Sequence, residues 1–361
     1  MTTSPRRFRL ASKGALIRLL ILGLAIAVAL GVCWFIMIRQ PGSSFRGPFV
    51  PAGAEESALA TALRRDVETL ALEIGPRNRM HGVAYERAAD FVEDRLKAAG
   101  LATRRMASPP AQPHATPGII EATLPGSTLP KEIIVLGAHY DSFDVSPGAN
   151  DNGTGVAALL ALAERMTAGA DGAASSSPAA ALPTARTVRF VFFPDEEPPF
   201  FQTDEMGSLV YARACRAAGD DVVAMFSLET MGYFSDRPGS QQYPQPLGAL
   251  YPDTGNFVGF VSNVRSRALL REAIGAFRET TELPSEGAAL PPVLPGIGWS
   301  DHWSFWQAGY PGLMVTDTAP FRYPYYHTTS DLPKHLDFER VARVVLGIER
   351  VVRRIDARPT R

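Results

Sequence analysis

Two cysteines in 361 residues leave this chain almost without thiol chemistry. Cys33 lies inside a long apolar run, so Cys215 stands alone in the remainder and has no intramolecular disulfide partner there. A disulfide-stapled miniprotein is excluded, and Cys215 is expected as a buried thiol. Net charge is nearly missing too, with 36 Lys and Arg against 37 Asp and Glu giving −1. No global basic field exists to hold a nucleic acid, and no such partner is expected. The chain has no internal repeat. It also has no G-x-S-x-G, so a serine nucleophile of that type is not expected. Apolar residues are not lacking. Hydrophobic residues reach 46% and aromatics 9%, which excludes a disordered or fibrous chain.

The balanced charge is unevenly distributed. The first acidic residue is Glu55, and seven basic residues precede it: Arg6, Arg7, Arg9, Lys13, Arg18, Arg39 and Arg46. Residues 55–361 therefore carry −8. Residues 19–38 (LLILGLAIAVALGVCWFIMI) are uncharged and apolar, and such a run of ~20 residues spans a bilayer as a helix. A buried core helix is disfavoured because the run is N-terminal, lacks a polar face and is flanked by Arg. A cleaved signal peptide usually has an apolar region of only ~7–15 residues before an A-x-A-like site. This run is longer and is followed by Arg39-Gln40-Pro41-Gly42. Val32 before Cys33 makes a poor lipoprotein signal. An uncleaved membrane anchor is favoured. Five positive charges before the span and two after it put the N-terminus in the cytoplasm and the main domain outside, in the periplasm or extracellular space. High Ala and Arg usage points to a bacterium. Residues 39–54, rich in Pro, Gly and Ser, read as a linker.

Beyond the linker, apolar residues at helical spacing predict helices over 56–74, 82–99, 154–167, 205–217, 265–280 and 338–355. Short Val-, Ile- and Phe-rich runs bounded by turn residues predict strands at 119–124, 133–136, 188–193, 222–228, 257–261 and 313–316. Alternating strands and helices imply an α/β fold. The expectation is three α/β/α layers around a central mixed, largely parallel sheet, preceded by one transmembrane helix. Residues 55–361 read as one domain, with a low-complexity surface insertion at 167–186.

Polar clusters adjoin the apolar runs. They are His139-Tyr140-Asp141, the loop 148–155 entering a helix, Asp195-Glu196-Glu197, Glu229, and Tyr325-Tyr326-His327. In open α/β sheets, sites form outside the carboxyl ends of strands, so one shared site is expected. Imidazoles with several carboxylates suit a divalent transition metal, zinc first. Two His and at least three carboxylates exceed the needs of one catalytic ion. That surplus fits two ions ~3.5–4 Å apart. The glycine-rich loop 148–155 has no Gly-Lys-Ser/Thr after it, so it is not a phosphate loop.

These pieces, in order, resemble the M28 family of dinuclear zinc peptidases, whose relatives include glutaminyl cyclases. The matching residues are His139-Tyr140-Asp141, Gly148-Ala149-Asn150-Asp151-Asn152-Gly153, Asp195-Glu196-Glu197, Met206-Gly207-Ser208, Leu228-Glu229-Thr230-Met231-Gly232, Ser300-Asp301-His302 and Tyr326-His327-Thr328 with Asp331. Ile74-Gly75-Pro76-Arg77 matches the segment that opens the family's domain. The resemblance implies that His139 and Glu229 hold one zinc, that Glu197 and His327 hold a second, and that Asp151 bridges them. It implies Asp141 behind His139, fixing its tautomer. It implies Glu196 as general base and Tyr326 as donor to the developing oxyanion. A cis peptide at Asp151–Asn152 is also implied. Glu229 departs from the pattern, since many members have Asp there.

The resemblance makes a membrane-anchored aminopeptidase acting on peptides the leading expectation. A carboxylate near the metals, Glu196 or Glu229, would hold the substrate's free α-ammonium group. Carboxypeptidase or dipeptidase action on the same fold remains open. A glutaminyl cyclase is the rival enzyme class, but such cyclases commonly carry Trp where Tyr326 stands. A non-catalytic relative would have lost ligands, and none is lost here. His81, His114 and His335 are expected to be structural, His302 to lie near the pocket, and Asp301 to hold a loop. Of Trp299, Trp303, Phe305 and Trp306, most are expected in the core and one or two in a pocket wall.

Overall fold

The computed structural model describes residues 13–107, 116–168 and 183–359. Arg6, Arg7, Arg9, His114 and most of the 167–186 insertion lie outside the described residues. The chain begins with α1 (Lys13–Met37), which has no buried residue. By length and composition α1 could cross a membrane, a test that a signal sequence also passes.

Eight strands form one sheet: β1 (Thr103–Met106), β2 (Ile119–Leu124), β3 (Leu129–His139), β4 (Arg186–Phe193), β5 (Asp221–Glu229), β6 (Val258–Ser262), β7 (Ser285–Ala289) and β8 (Gly312–Thr316). Their order is β1-β2-β4-β3-β5-β8-β6-β7. The four central strands β4, β3, β5 and β8 are parallel, while β2 and β6 flank them antiparallel. The sheet is thus mixed with a parallel centre, as expected.

The central strands are apolar on both faces because helices cover both. Along β3, Ile134, Leu136 and Ala138 join the large core on one face, and Ile133 and Val135 the smaller core on the other. The same period of two separates Phe190 and Phe192 from Val191 and Phe193 on β4. The large core is covered by α2 (Ala54–Glu68), α3 (Gly82–Ala98), α4 (Gly155–Thr167), α6 (Arg267–Thr280) and α8 (Phe338–Asp356). The smaller core lies under α5 (Gly207–Ala218) and α7 (His302–Gln307), and it buries Cys215. Burial pushes that thiol up to about 12, so it stays protonated. The fold is therefore a three-layer α/β/α sandwich.

Three elements escape sequence patterning. Strands β1 (TRRM) and β7 (SEGAA) are short and lie at the two sheet edges, where neither face must be continuously apolar. Helix α7 has six residues, too few for a 3.6-residue period to show. Residues 38–50 also behave differently from a free linker. They lie along the globule, held by hydrogen bonds from Arg271 Nη1 to Arg39 O (2.6 Å), Arg278 Nη1 to Pro41 O (3.1 Å), Ser285 N to Ser44 Oγ (2.9 Å) and Arg343 Nη2 to Val50 O.

Candidate metal centre

Parallel neighbours end together. His139 closes β3 beside Phe193 at the end of β4, and Glu229 closes β5 beside Thr316 at the end of β8. Glu196 and Glu197 follow β4, and Asp151 enters from the loop before α4. The sheet thus gathers these side chains at one carboxyl edge. His327 reaches the same place from a loop between β8 and α8, so its cluster is not a strand end.

The geometry divides these side chains into two sets. His139 Nε2 lies 3.3 Å from Asp151 Oδ1 and 3.3 Å from Glu229 Oε2. His327 Nε2 lies 3.1 Å from the other oxygen, Asp151 Oδ2, and 3.1 Å from Glu197 Oε2. Glu196 Oε2 stands 3.8 Å from His139 Nε2. His139 Nε2, His327 Nε2 and Glu197 Oε1 are buried without a hydrogen-bond partner. Buried polar atoms are normally paired. Lone pairs converging on shared gaps between imidazole and carboxylate fit divalent cations. His139, Asp151 and Glu197 offer ligand atoms within 4.8 Å of one another.

The surroundings hold each group in place. Asp141 Oδ1 lies 3.3 Å from His139 Nδ1 and accepts the Glu196 amide at 3.2 Å. Asp141 Oδ2 accepts the Glu197 amide at 3.0 Å. One carboxylate thus orients an imidazole and the turn that carries two glutamates. Asp331 accepts from the amides of Asn150 (2.8 Å) and Asp151 (3.1 Å) and from the Tyr323 hydroxyl (2.8 Å). Asn152 Nδ2 donates to Leu228 O at 2.8 Å, tying the loop to the end of β5. The Asp151–Asn152 peptide is cis. Ser300 Oγ donates to Glu229 Oε2 at 2.7 Å. His327 is stacked between Phe143 (4.1 Å) and Tyr326 (3.8 Å). Asp195, Thr230 and His327 have φ of +58°, +39° and +58°. Each is one of the glutamates' neighbours or a site residue itself, and non-glycine residues at positive φ concentrate where function demands them.

Arg77, Asp331, Asn150 and Asn152 are the supporting residues that motif reading did not assign. Arg77 is fully buried and donates to Tyr140 O (2.8 Å), Pro147 O (2.6 Å) and Gly148 O (2.7 Å). Burial lowers its pKa to about 10, against the pull of Asp331 and Asp141. Arg77→Met keeps most of the volume and strands three carbonyls. It is expected to destabilise the fold by about 3–5 kcal/mol in denaturant titration.

Asp301 is buried near Glu196 and Glu229. Burial raises its pKa to about 7, with His139 opposing and Glu229 and Asp141 reinforcing. His302 is structural. Its Nε2 pairs with Ile297 O at 2.8 Å, its ring meets Trp306 edge-on, and burial lowers its pKa to about 4. His335 stacks on Tyr325, away from the cluster. Phe305 is core, whereas Trp299 walls a cavity.

Crowded carboxylates shape the titration. Burial and the Asp151 charge push Glu197 up to about 8, against His327. Burial and Glu229 raise Glu196 well above the usual carboxylate range, although His139 opposes them. His327 is raised to about 10, because Asp151 and Glu197 outweigh its burial. Without metal, the folded chain holds more protons on Glu197 than the unfolded chain does between 4.5 and about 8. Stability then falls as pH rises through that window. The favourable charge on His327 is complete below 6.5 and lost as pH rises toward 10. Asp151 is depressed, so its contribution is lost only as pH falls below 3.8. Chelator-stripped protein is thus expected to melt at a lower temperature at the top of the 4.5-to-8 window than at its bottom. A Tm that climbs across the window would contradict this.

Glu229 and Tyr326 also line an adjoining cavity. Its walls are largely apolar and aromatic, including Tyr243, Tyr251, Phe257, Met314 and Phe321.

A three-layer α/β sandwich gathering two imidazoles and a crowd of carboxylates at the carboxyl edge of its sheet fits a metal-binding enzyme. The sequence model of peptidase family M28 matches residues 120–352, and the chain belongs to that family. It is 36% identical over 225 residues to the uncharacterized protein YfbL of Escherichia coli K12, covering 60% of this chain and 65% of that one. It is 26% identical over 239 residues to a leucine aminopeptidase of Fusarium vanettenii, covering 63% of this chain and 53% of that one. The chain thus spans less than two thirds of the length of these curated relatives. The zinc aminopeptidase BSAP of Bacillus subtilis shares the fold with a TM-score of 0.61 at 14% identity, over 82% of this chain and 94% of that one. The glutaminyl cyclase of Tannerella forsythia does so with a TM-score of 0.56 at 20% identity, over 81% and 97%.

Proposed function

We propose that this chain is a membrane-anchored metallo-aminopeptidase that removes N-terminal residues from peptides outside the cytoplasm. One observation carries the reading: the two oxygens of Asp151 face two separate His/Glu pairs, with Glu196 alongside. In this reading His139, Asp151 and Glu229 hold one Zn²⁺, and His327, Asp151 and Glu197 hold a second. When bound, zinc supplies Lewis acidity to the scissile carbonyl and lowers the pKa of water toward ~7.

The remaining steps belong to the chain's own residues. Glu196 takes a proton from the attacking water as its oxygen bonds to the carbonyl carbon. The same carboxyl returns that proton to the leaving amine as the C–N bond breaks, so no acyl-enzyme forms. Tyr326 is held protonated by burial and by Asp151 and Glu197, as a donor to the developing oxyanion must be. Asp141 holds His139 and the Glu196–Glu197 turn. Glu229 and Glu196 offer negative charge to a free α-ammonium group, and the adjoining apolar cavity accepts a large N-terminal side chain. Residues 55–361 form one peptidase domain, and α1 anchors it with the N-terminus in the cytoplasm.

The test is a panel of free-amine aminoacyl fluorogenic substrates, with N-acetylated copies, offered to the zinc-loaded chain. Chelator-sensitive cleavage of the free-amine forms alone is expected, fastest for large apolar residues. Silence across the panel, together with cyclisation of N-terminal Gln, would replace the reading with a cyclase.

A further inference from the structure

Strand β7 has two sides to its environment. It is the outer edge of the sheet, and its residues Glu286, Gly287 and Ala288 form a wall of the cavity that reaches Glu229 and Tyr326. The same strand receives the chain as it leaves α1. Gln40, three residues past the end of α1, donates from Nε2 to Gly287 O at 3.5 Å. Tyr251, itself a cavity residue, donates its hydroxyl to the same carbonyl at 3.0 Å. The contacts of Arg39, Pro41 and Ser44 with α6 and β7 continue this attachment without a break. Within α1 no residue is buried, and the two at its C-terminal end, Ile36 and Met37, are partly covered where the chain meets the globule.

These contacts set a distance. A flexible linker of this length would let the globule drift from its anchor, but a docked strap holds the cavity wall within a few residues of the membrane-spanning helix. The loops around the cavity carry exposed apolar side chains: Leu250 (48% exposed), Val293 (87%) and Trp299 (45%). Arg39 and Arg46 are exposed on the strap, and Arg271 on α6 binds it. Exposed apolar tips around the cavity, together with arginines on and next to the strap, suit the boundary between acyl chains and anionic headgroups.

We infer that the strap seats the cavity mouth on the bilayer surface that α1 enters, and that the substrates are N-termini of peptides held at that surface. The substrate class rests on the aminopeptidase reading; the seating does not. The occupant of the apolar rim is the headgroup layer of an anionic phospholipid bilayer.

The test uses the full chain in phosphatidylethanolamine/phosphatidylglycerol nanodiscs. A spin label at V293C, on a C33S background, is compared with one at K97C, which lies beside the opposite sheet edge. Oxygen and nickel-chelate accessibility should place label 293 at headgroup depth and label 97 in water. Equal aqueous exposure of both would overturn the seating. A second chain carries a flexible Gly-Ser spacer of about 20 residues between Ile38 and Arg39, with an r.m.s. span of roughly 25 Å. It leaves the strap and the metal centre untouched. Label 293 should leave the headgroups in that chain, and cleavage of soluble peptides should be unchanged. The preference for a C-terminally palmitoylated peptide in the same disc over its soluble form should drop about tenfold. An unchanged preference would overturn the substrate class. If neither chain cleaves any peptide, the aminopeptidase reading fails and takes the substrate class with it, while the label depths decide the seating alone.

Discussion

Glu196→Gln is expected to retain its metals and lose turnover by about 10²–10⁴-fold, the usual contribution of a positioned general base. The substitution is nearly isosteric, and its amide cannot take a proton from water. Glu196 is 3.8 Å from His139 Nε2, farther than Asp151 or Glu229 at 3.3 Å. It therefore stands next to the first His/carboxylate set without completing it. Its backbone is held through the amide bond to Asp141 Oδ1, which the substitution leaves in place. The loss should fall chiefly on kcat, and any rise in KM would report the charge that Glu196 offers the α-ammonium group. Metal content by atomic absorption and steady-state kinetics read the two halves of the expectation. Wild-type turnover in the variant would sink the base assignment, and metal loss would reassign Glu196 as a ligand.

Asp151→Asn is expected to empty both metal positions together. Each oxygen of Asp151 faces a different imidazole, at 3.3 Å and 3.1 Å, so no other single side chain serves both sets. An amide offers one weak oxygen ligand and no charge. Removing a supporting carboxylate behind a ligand already weakens metal affinity about 10–100-fold, and removing a shared ligand should exceed that. Burial opposes ionisation of Asp151, yet both imidazoles hold its pKa below the usual carboxylate range. His327→Ala should by contrast release one equivalent before the other. Loss of only one equivalent from Asp151→Asn, measured by chelator competition, would remove the bridging role.

The legible part of this protein was the part with period and composition. Apolar runs predicted six of the eight strands, because central parallel strands must be apolar on both faces. The edge strands β1 and β7 carry no such requirement, and TRRM and SEGAA resemble loops. His139, Glu196, Glu197 and Glu229 were legible because they stand at or just past the ends of apolar strands, while Asp151 and His327 were legible only from their motifs. Of their supports, Asp141 was assigned from the motif, whereas Asp331 and Arg77 stood in matching motifs without a role. Asp331 lies 180 residues from the Asp151 amide it holds. Arg77 stood in the segment that opens the domain, and its role emerges only when its carbonyl partners from 140–148 close around it.

Residues 39–54 mark the same boundary. Their Pro, Gly and Ser content is that of a linker, and composition alone carries no information about docking. Arginines 271, 278 and 343, more than 200 residues away, turn part of that segment into a strap. Sequence by itself determined the layers, the family and the candidate residues of the proposed metal centre, since these follow from local period and short ordered motifs. Tertiary structure alone decided which oxygen of Asp151 faces which imidazole, which side chains wall the cavity and where that cavity sits relative to α1. Each of these depends on distances between segments remote in sequence, which only the closed sheet and its loops establish.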